Sequence, residues 1–225
     1  MSTALTCISS PRPKIDLILN RTDETGAVSP CLYLGDADAA KDSGLLKSLG
    51  ISHVVTAAFG HDDPKDDVGA RFPADFTYHE AKIPDSSELD LSPYFAPCAD
   101  FIRNSLDAPQ NRVFIHCMVG TSRSVSLLIY YMMRERHYTL RNALLHIMHQ
   151  RSSNPDAPYT HPNRGFMTQL IAREKELSVT ADGHPSLTLS SYMTELSTGK
   201  NISYGPVPEP KPRHHLAACS AGAGA

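Results

Sequence analysis

A disulfide framework, a zinc-binding pattern and a membrane span are all missing from this chain. Its five cysteines (Cys7, Cys31, Cys98, Cys117 and Cys219) are odd in number and widely scattered, with no CxxC pair among them. That excludes a paired-cysteine scaffold and fits a reducing compartment. No stretch approaches the roughly 18 apolar residues a membrane helix needs. The first residues lack the basic-then-apolar pattern of a secretory signal. Charge of one sign is also scarce. With 21 Lys and Arg against 24 Asp and Glu the net charge is −3, which leaves no footprint for nucleic acid or an anionic membrane. No internal repeat is visible. These absences imply a cytoplasmic or nuclear protein, and 225 residues allow one domain of about 150 residues plus extensions. Nothing in the pattern sets an oligomeric state.

What is present centres on one stretch, Val113 to Met133. Val113-Phe114-Ile115 is a short β-branched and aromatic run that reads as a buried strand. Ser124 to Met133 is apolar enough for a largely buried helix. Between them lie His116, Cys117, five residues (Met118, Val119, Gly120, Thr121, Ser122) and Arg123. Gly120 permits backbone angles that other residues resist. A strand-to-helix loop of this kind aims its free N–H groups into a concavity at a helix N-terminus, which suits an anion. There a cysteine is favoured as thiolate, its nucleophilic form. Arg123 supplies a planar fork of donors that matches two phosphate oxygens at once, and Ser124 can donate to the sulfur. The alternative, a core cysteine beside a helix-start cation, accounts for neither the glycine nor the spacing.

The order of elements around this stretch points to an α/β domain with a central, mostly parallel sheet flanked by helices. Cys31 to Leu34 reads as a strand. A single helix carrying Ala39, Leu45, Leu46 and Leu49 follows and ends at Gly50. Ile51 to Ala57 and Phe76 to Ile83 read as further strands. Residues 59–75 form a polar loop whose aspartates lack the spacing of a calcium loop. A helix starts with Ser92 as its cap and Pro93 in its first turn. Its face of Tyr94, Cys98, Phe101 and Ile102 packs on the core. Thr139 caps another helix, the proline-rich loop 151–162 comes next, and Asn163 opens the last helix of the domain.

His116-Cys117-x5-Arg123-Ser124 resembles the signature of the cysteine-based protein tyrosine phosphatases, and residues 28–177 resemble a small atypical dual-specificity phosphatase. The resemblance implies a phosphatase-type fold whose phosphate loop joins the central strand to its helix. Cys117 is then the nucleophile, the amides and side chains of Met118, Val119, Gly120, Thr121 and Ser122 line the phosphate site with Arg123, and Ser124 assists the thiolate. Asp85, directly after a strand, stands where the family keeps its general acid on a mobile loop. Glu88 and Asp90 are the other acids there, Asp90 being better placed as N-terminal charge for the next helix. No metal or organic cofactor is required. Phosphoproteins are the expected substrates, with mitogen-activated kinases as candidates by resemblance. Val119 stands where many members carry alanine, and Met118 where a polar or basic residue is frequent, so the rim of the site is individual to this chain.

Two other functions compete with this one. A phosphoinositide or RNA phosphatase on the same scaffold would favour extra cations in the loop, and Met118, Val119 and Thr121 supply none. A non-catalytic phosphoprotein-binding module would need Arg123 and the amides but not Cys117. The organisation expected is an N-terminal extension over 1–27, partly helical around Ile15 to Leu19, and a catalytic domain over 28–178. Residues 179–225, rich in Ser, Thr, Gly, Pro and Ala, read as a disordered tail apart from a short helix around Tyr192 to Leu196.

Overall fold

The structure is a computed structural model that describes residues 14–22, 25–58, 68–152, 154, 160–177, 180 and 184–198. Five strands form one sheet in the order β1-β2-β5-β3-β4: β1 Ile15–Thr22, β2 Val28–Gly35, β3 His53–Thr56, β4 Thr77–Glu80 and β5 Val113–His116. β2, β5, β3 and β4 run parallel, and β1 pairs antiparallel with β2. The helices are α1 Ala37–Ala40, α2 Ser43–Ser48, α3 Ser92–Leu106, α4 Arg123–Arg136, α5 Leu140–Ser152, α6 Arg164–Leu177 and α7 Leu189–Thr198.

β5 lies in the middle of the sheet and is buried along its whole length. A central parallel strand is covered on both faces, which is why it reads as a continuous apolar run. Successive side chains alternate between two cores. Val113 and Ile115 join the large cluster shared with α3, α4, α5 and α6, while Phe114 joins the smaller cluster with Leu46, Val54 and Phe76. The carboxyl ends of β2, β5 and β3 therefore converge, and at such ends parallel α/β sheets place their sites.

Four expectations change. The first is the patch Ile15–Leu19, which forms an edge strand rather than a helix. An irregularity in the β1–β2 register around Ile18 allows both Ile18 and Leu19 to be buried, so packing against β2 overrides local helix preference. The fold thus reaches N-terminal to residue 28. The second is the single helix after β2, which is two short helices, each with its own aspartate cap: Asp36 accepts from Ala39 N and Asp42 from Leu45 N, both at 2.8 Å. Gly50 (φ 68°) closes α2 as expected, with its own N–H and that of Ile51 bonded back to Lys47 and Leu46.

The third is the start of α3, where Leu91 rather than Ser92 holds the cap position. Asp90 Oδ1 accepts the Ser92 N–H at 2.9 Å, and hydrogen bonding from the Ser92 side chain, with this backbone bond second, draws its carboxyl below the ordinary range. The fourth concerns the C-terminal side. The expected helix near Tyr192 is present as α7, but it is packed: Leu187 and Tyr192 are both 2 % exposed and belong to the large core. Residues 1–13, 59–67, 155–159 and 199–225 lie outside the described residues, and with them most of the expected N-terminal extension, polar loop and proline-rich loop and the end of the expected tail.

Candidate active site

β5 ends at His116, and the chain leaves the sheet with Cys117 at the floor of the loop, 1 % exposed. Residues 117–122 turn back into α4, whose first residue is Arg123. Gly120 sits at φ 76°, and a Cβ there would come within 2.5 Å of the Gly35 carbonyl oxygen. Only glycine fits this position. Its N–H donates to Cys117 Sγ at 3.2 Å, and Ser124 Oγ donates to the same sulfur at 3.3 Å. Two donors, one from the backbone and one from a side chain, thus converge on one sulfur.

The loop is pinned from outside as well. Met118 O accepts from Ala37 N at 3.0 Å, Thr121 O from His161 N at 3.0 Å, and Gly120 O from Arg151 Nη1 at 2.7 Å. Val119 is turned outward and 53 % exposed, so the rim is apolar there. Behind the loop His116 is fully buried and bonded on both ring nitrogens. Nδ1 meets Cys117 O at 3.2 Å, and Nε2 meets Thr56 Oγ1 at 3.0 Å. A carbonyl can only accept, so the proton is on Nδ1 and Nε2 accepts from the threonine hydroxyl. Burial lowers its pKa to about 4, which keeps it neutral and suits a structural part rather than proton transfer.

Asp85 meets this loop from the segment after β4. Its Oδ1 accepts from Ser122 Oγ at 3.3 Å and from Asn163 Nδ2 at 3.1 Å. Its Oδ2 lies 3.5 Å from Arg123 Nε, an ion-pair contact without hydrogen-bond geometry. Arg123 Nη1 donates to Ile83 O at 3.2 Å, so the guanidinium is held under the acid loop with its side chain 7 % exposed. The structure thus brings Cys117, Arg123, Ser124 and Asp85 together. Glu88 accepts from Ser87 Oγ and Asp90 from Ser92 N, so the other two acids are engaged in local contacts. Ser122 braces Asp85 as well as lining the loop.

Several supporting groups were missed in the sequence. Asn163, expected to open the last helix of the domain, also reaches the acid. Its Oδ1 caps α6 through Phe166 N at 3.0 Å, and its Nδ2 holds Asp85. Gln169 accepts from Leu91 N at 2.7 Å and donates to Leu89 O at 2.8 Å, clamping the far end of the acid loop. Arg151 forms a buried pair with Asp16 of β1 at 2.9 Å while holding Gly120 O. The only cue for that pair was an aspartate inside an otherwise apolar patch. Cys98 is buried in α3, and its thiol is pushed up by desolvation, which makes it packing.

A sulfur receiving two hydrogen bonds, an arginine at the start of the next helix and a carboxylate 3.5 Å from that arginine form an arrangement suited to a phosphate ester. Comparison with known proteins agrees. Residues 32–176 match the family model described as dual specificity phosphatase, catalytic domain. The human dual specificity protein phosphatase 13B is 39% identical over 161 residues, covering 71% of this chain and 75% of that protein. The mouse dual specificity protein phosphatase 26 is 36% identical over 162 residues, 70% of this chain and 69% of that one. The crystal structure of human DUSP28 shares the fold, with a TM-score of 0.54 at 23% identity over 76% of this chain and 99% of the other. The chain belongs to the dual-specificity phosphatases. It is a cysteine-based protein phosphatase, and its substrates are phosphoproteins.

Proposed function

We propose that Cys117 is the nucleophile, Arg123 and the loop amides the phosphate clamp, Asp85 the general acid and base, and Ser124 the partner of the departing thiolate. The observation that carries this reading is the meeting of Gly120 N–H and Ser124 O–H on Cys117 Sγ beneath an Arg123–Asp85 contact. The Cys117 thiolate attacks phosphorus and an S–P bond forms as the ester P–O bond breaks. Arg123 and the amides of residues 118–123 hold the equatorial oxygens, and Asp85 gives its proton to the leaving oxygen. Water then attacks phosphorus and surrenders a proton to Asp85. The S–P bond breaks, inorganic phosphate leaves, and the sulfur departs as a thiolate stabilised by Ser124.

The apolar, exposed Val119 and the lack of a second cation among residues 118–122 favour single phosphotyrosine, phosphoserine or phosphothreonine side chains over multiply anionic lipids. Mitogen-activated kinases are the substrates to try first, on family resemblance. The buried thiols of Cys98 and Cys117 support a reducing compartment, cytoplasm or nucleus. Among the described residues no three His, Cys, Asp or Glu side chains cluster together.

Hydrolysis of phosphotyrosine and phosphothreonine peptides by wild type, Cys117→Ser and Asp85→Asn tests these roles. The serine variant is expected to lose turnover, and the asparagine variant to fall about 10²–10³-fold, the scale of general acid catalysis. A folded wild type that binds these peptides without turning them over would return the protein to a binding module.

A further inference from the structure

The family match ends at residue 176, yet residues 184–198 are built into the molecule. Glu174, fully buried, accepts from Ser186 N at 2.8 Å and from Ser186 Oγ at 2.6 Å, while its Oε1 also accepts the Leu140 N–H that opens α5. Arg141 pairs with Glu195 of α7 at 3.1 Å. Thr188 accepts from Ser191 N at 3.2 Å, so α7 carries its own cap. Within this docked segment Tyr192 is 2 % exposed and donates its hydroxyl to Pro162 O at 2.7 Å.

That carbonyl belongs to the peptide unit joining Pro162 to Asn163. The N–H of the same unit donates to Ser122 Oγ at 3.0 Å, and Ser122 Oγ donates to Asp85 Oδ1 at 3.3 Å. Asn163 Nδ2 donates to the same oxygen. The donors run in one direction, from the phenol through one peptide group and one hydroxyl to the carboxylate. Hydrogen bonds in series polarise one another, and a donor on a peptide C=O strengthens the N–H at its other end. The chain also fixes the peptide plane, and with it the direction in which Ser122 and Asn163 reach Asp85.

We propose that Tyr192, presented by the C-terminal segment 184–198, is a positioning residue for the acid loop and acts on Asp85 through the Pro162–Asn163 peptide. This rests on Asp85 as general acid. Substrates of different leaving-group acidity separate an effect on the acid from an effect on the phosphate pocket. A phenol with a pKa of about 10 needs a proton as it leaves, whereas a more acidic nitrophenol depends on it much less.

The experiment is kcat/KM on phenyl phosphate and p-nitrophenyl phosphate for the full chain, Tyr192→Phe and Asp85→Asn, with thermal melts to confirm folding. Tyr192→Phe is expected to fall about tenfold on phenyl phosphate with a change of less than about twofold on p-nitrophenyl phosphate, a smaller copy of the Asp85→Asn pattern. Equal losses on both substrates, or no loss while Asp85→Asn is selective, overturn the proposal. If Asp85→Asn is itself not selective, the Asp85 role falls, and this proposal with it. A second variant, Asn163→Ser, keeps a capping oxygen for α6 but removes the donor to Asp85. Combined with Tyr192→Phe it should give a selective loss smaller than the product of the two, because both act through one peptide. Strict multiplication of the two losses counts against that route.

Discussion

The phosphate loop and the acid loop meet at Arg123, yet they are held in different ways. The phosphate loop is held through its backbone: Met118, Gly120 and Thr121 each give a carbonyl to a neighbouring element, and Gly120 gives its N–H to the sulfur. The acid loop is held by side chains that reach it from elsewhere, Ser122 and Asn163 on Asp85 and Gln169 on Leu89 and Leu91. Exposure follows the same division, with Cys117 at 1 % and the Asp85 side chain at 41 %. The nucleophile is fixed by the strand-to-helix turn itself. The acid is placed by distant parts of the chain, and can be moved without disturbing the sulfur.

The sharpest break on the phosphate side is Gly120→Ala. A Cβ at 2.5 Å from Gly35 O, in a left-handed backbone region, forces the loop off the sulfur and off Ala37. Loss of oriented donors around a developing anion costs about 10³-fold, some 4 kcal/mol of transition-state stabilisation. Steady-state turnover of an aryl phosphate within tenfold of wild type would mean the loop adapts. Next in size is Asp16→Ala. It strands Arg151 as a charge in a site where both side chains are 4 % exposed or less. Breaking such a pair from one side costs about 3–5 kcal/mol, and urea unfolding should show it. A loss below about 1 kcal/mol would mark the pair as no more than a surface contact.

The same division explains what could be read from the residues in order. The phosphate loop is local in sequence: strand, Cys117, glycine, Arg123 and helix lie within one short stretch, so its physics was visible before any contact was known. Asp85 followed from its place after a strand combined with a family resemblance. Its braces were hidden because they are long-range. Asn163 is 78 positions away from Asp85, and Arg151 is 135 from Asp16. β1 was hidden for a related reason, since Ile15–Leu19 carries no local turn signal and becomes a strand only because β2 offers a pairing edge. α7 was legible as a short helix but not as part of the core, because its anchors, Glu174 and Pro162, precede it in another element and a loop.

A third test works on the acid side alone. The backbone of Ser87 lies against Gly165 at the start of α6, where a Cβ would come within 1.8 Å of Ser87 O. Gly165→Ala must therefore push the acid loop outward while leaving Cys117, Gly120 and Ser124 where they are. Turnover of phenyl phosphate should drop about 10²-fold, near 2.7 kcal/mol, the lower end of what a general acid supplies. Stoichiometric release in a single turnover of p-nitrophenyl phosphate, whose leaving group needs less help, should be far less affected. Parallel losses on the two substrates would show that the two loops move together, against the independence argued above.

The smallest effect separates the loops by pH. His116 braces the phosphate loop from behind, and burial holds its pKa at about 4 against a reference of 6.5. The unfolded chain therefore takes up a proton as pH falls below 6.5, while the folded one does so only near pH 4. Stability from this group is complete above 6.5 and is lost progressively on the way down to 4. At pH 5 the loss relative to pH 7.5 is about 2 kcal/mol. Other groups titrate in the same range, so the measurement is the difference between wild type and His116→Asn in urea unfolding at the two pH values. That difference should shrink by about 2 kcal/mol at pH 5, because the asparagine variant has no proton to gain. A gap that stays constant would show that the proton uptake resides elsewhere. Asn163 and Gln169 do not ionise in this range, so the side-chain braces they provide to the acid loop should outlast the histidine's contribution behind the phosphate loop as the pH falls.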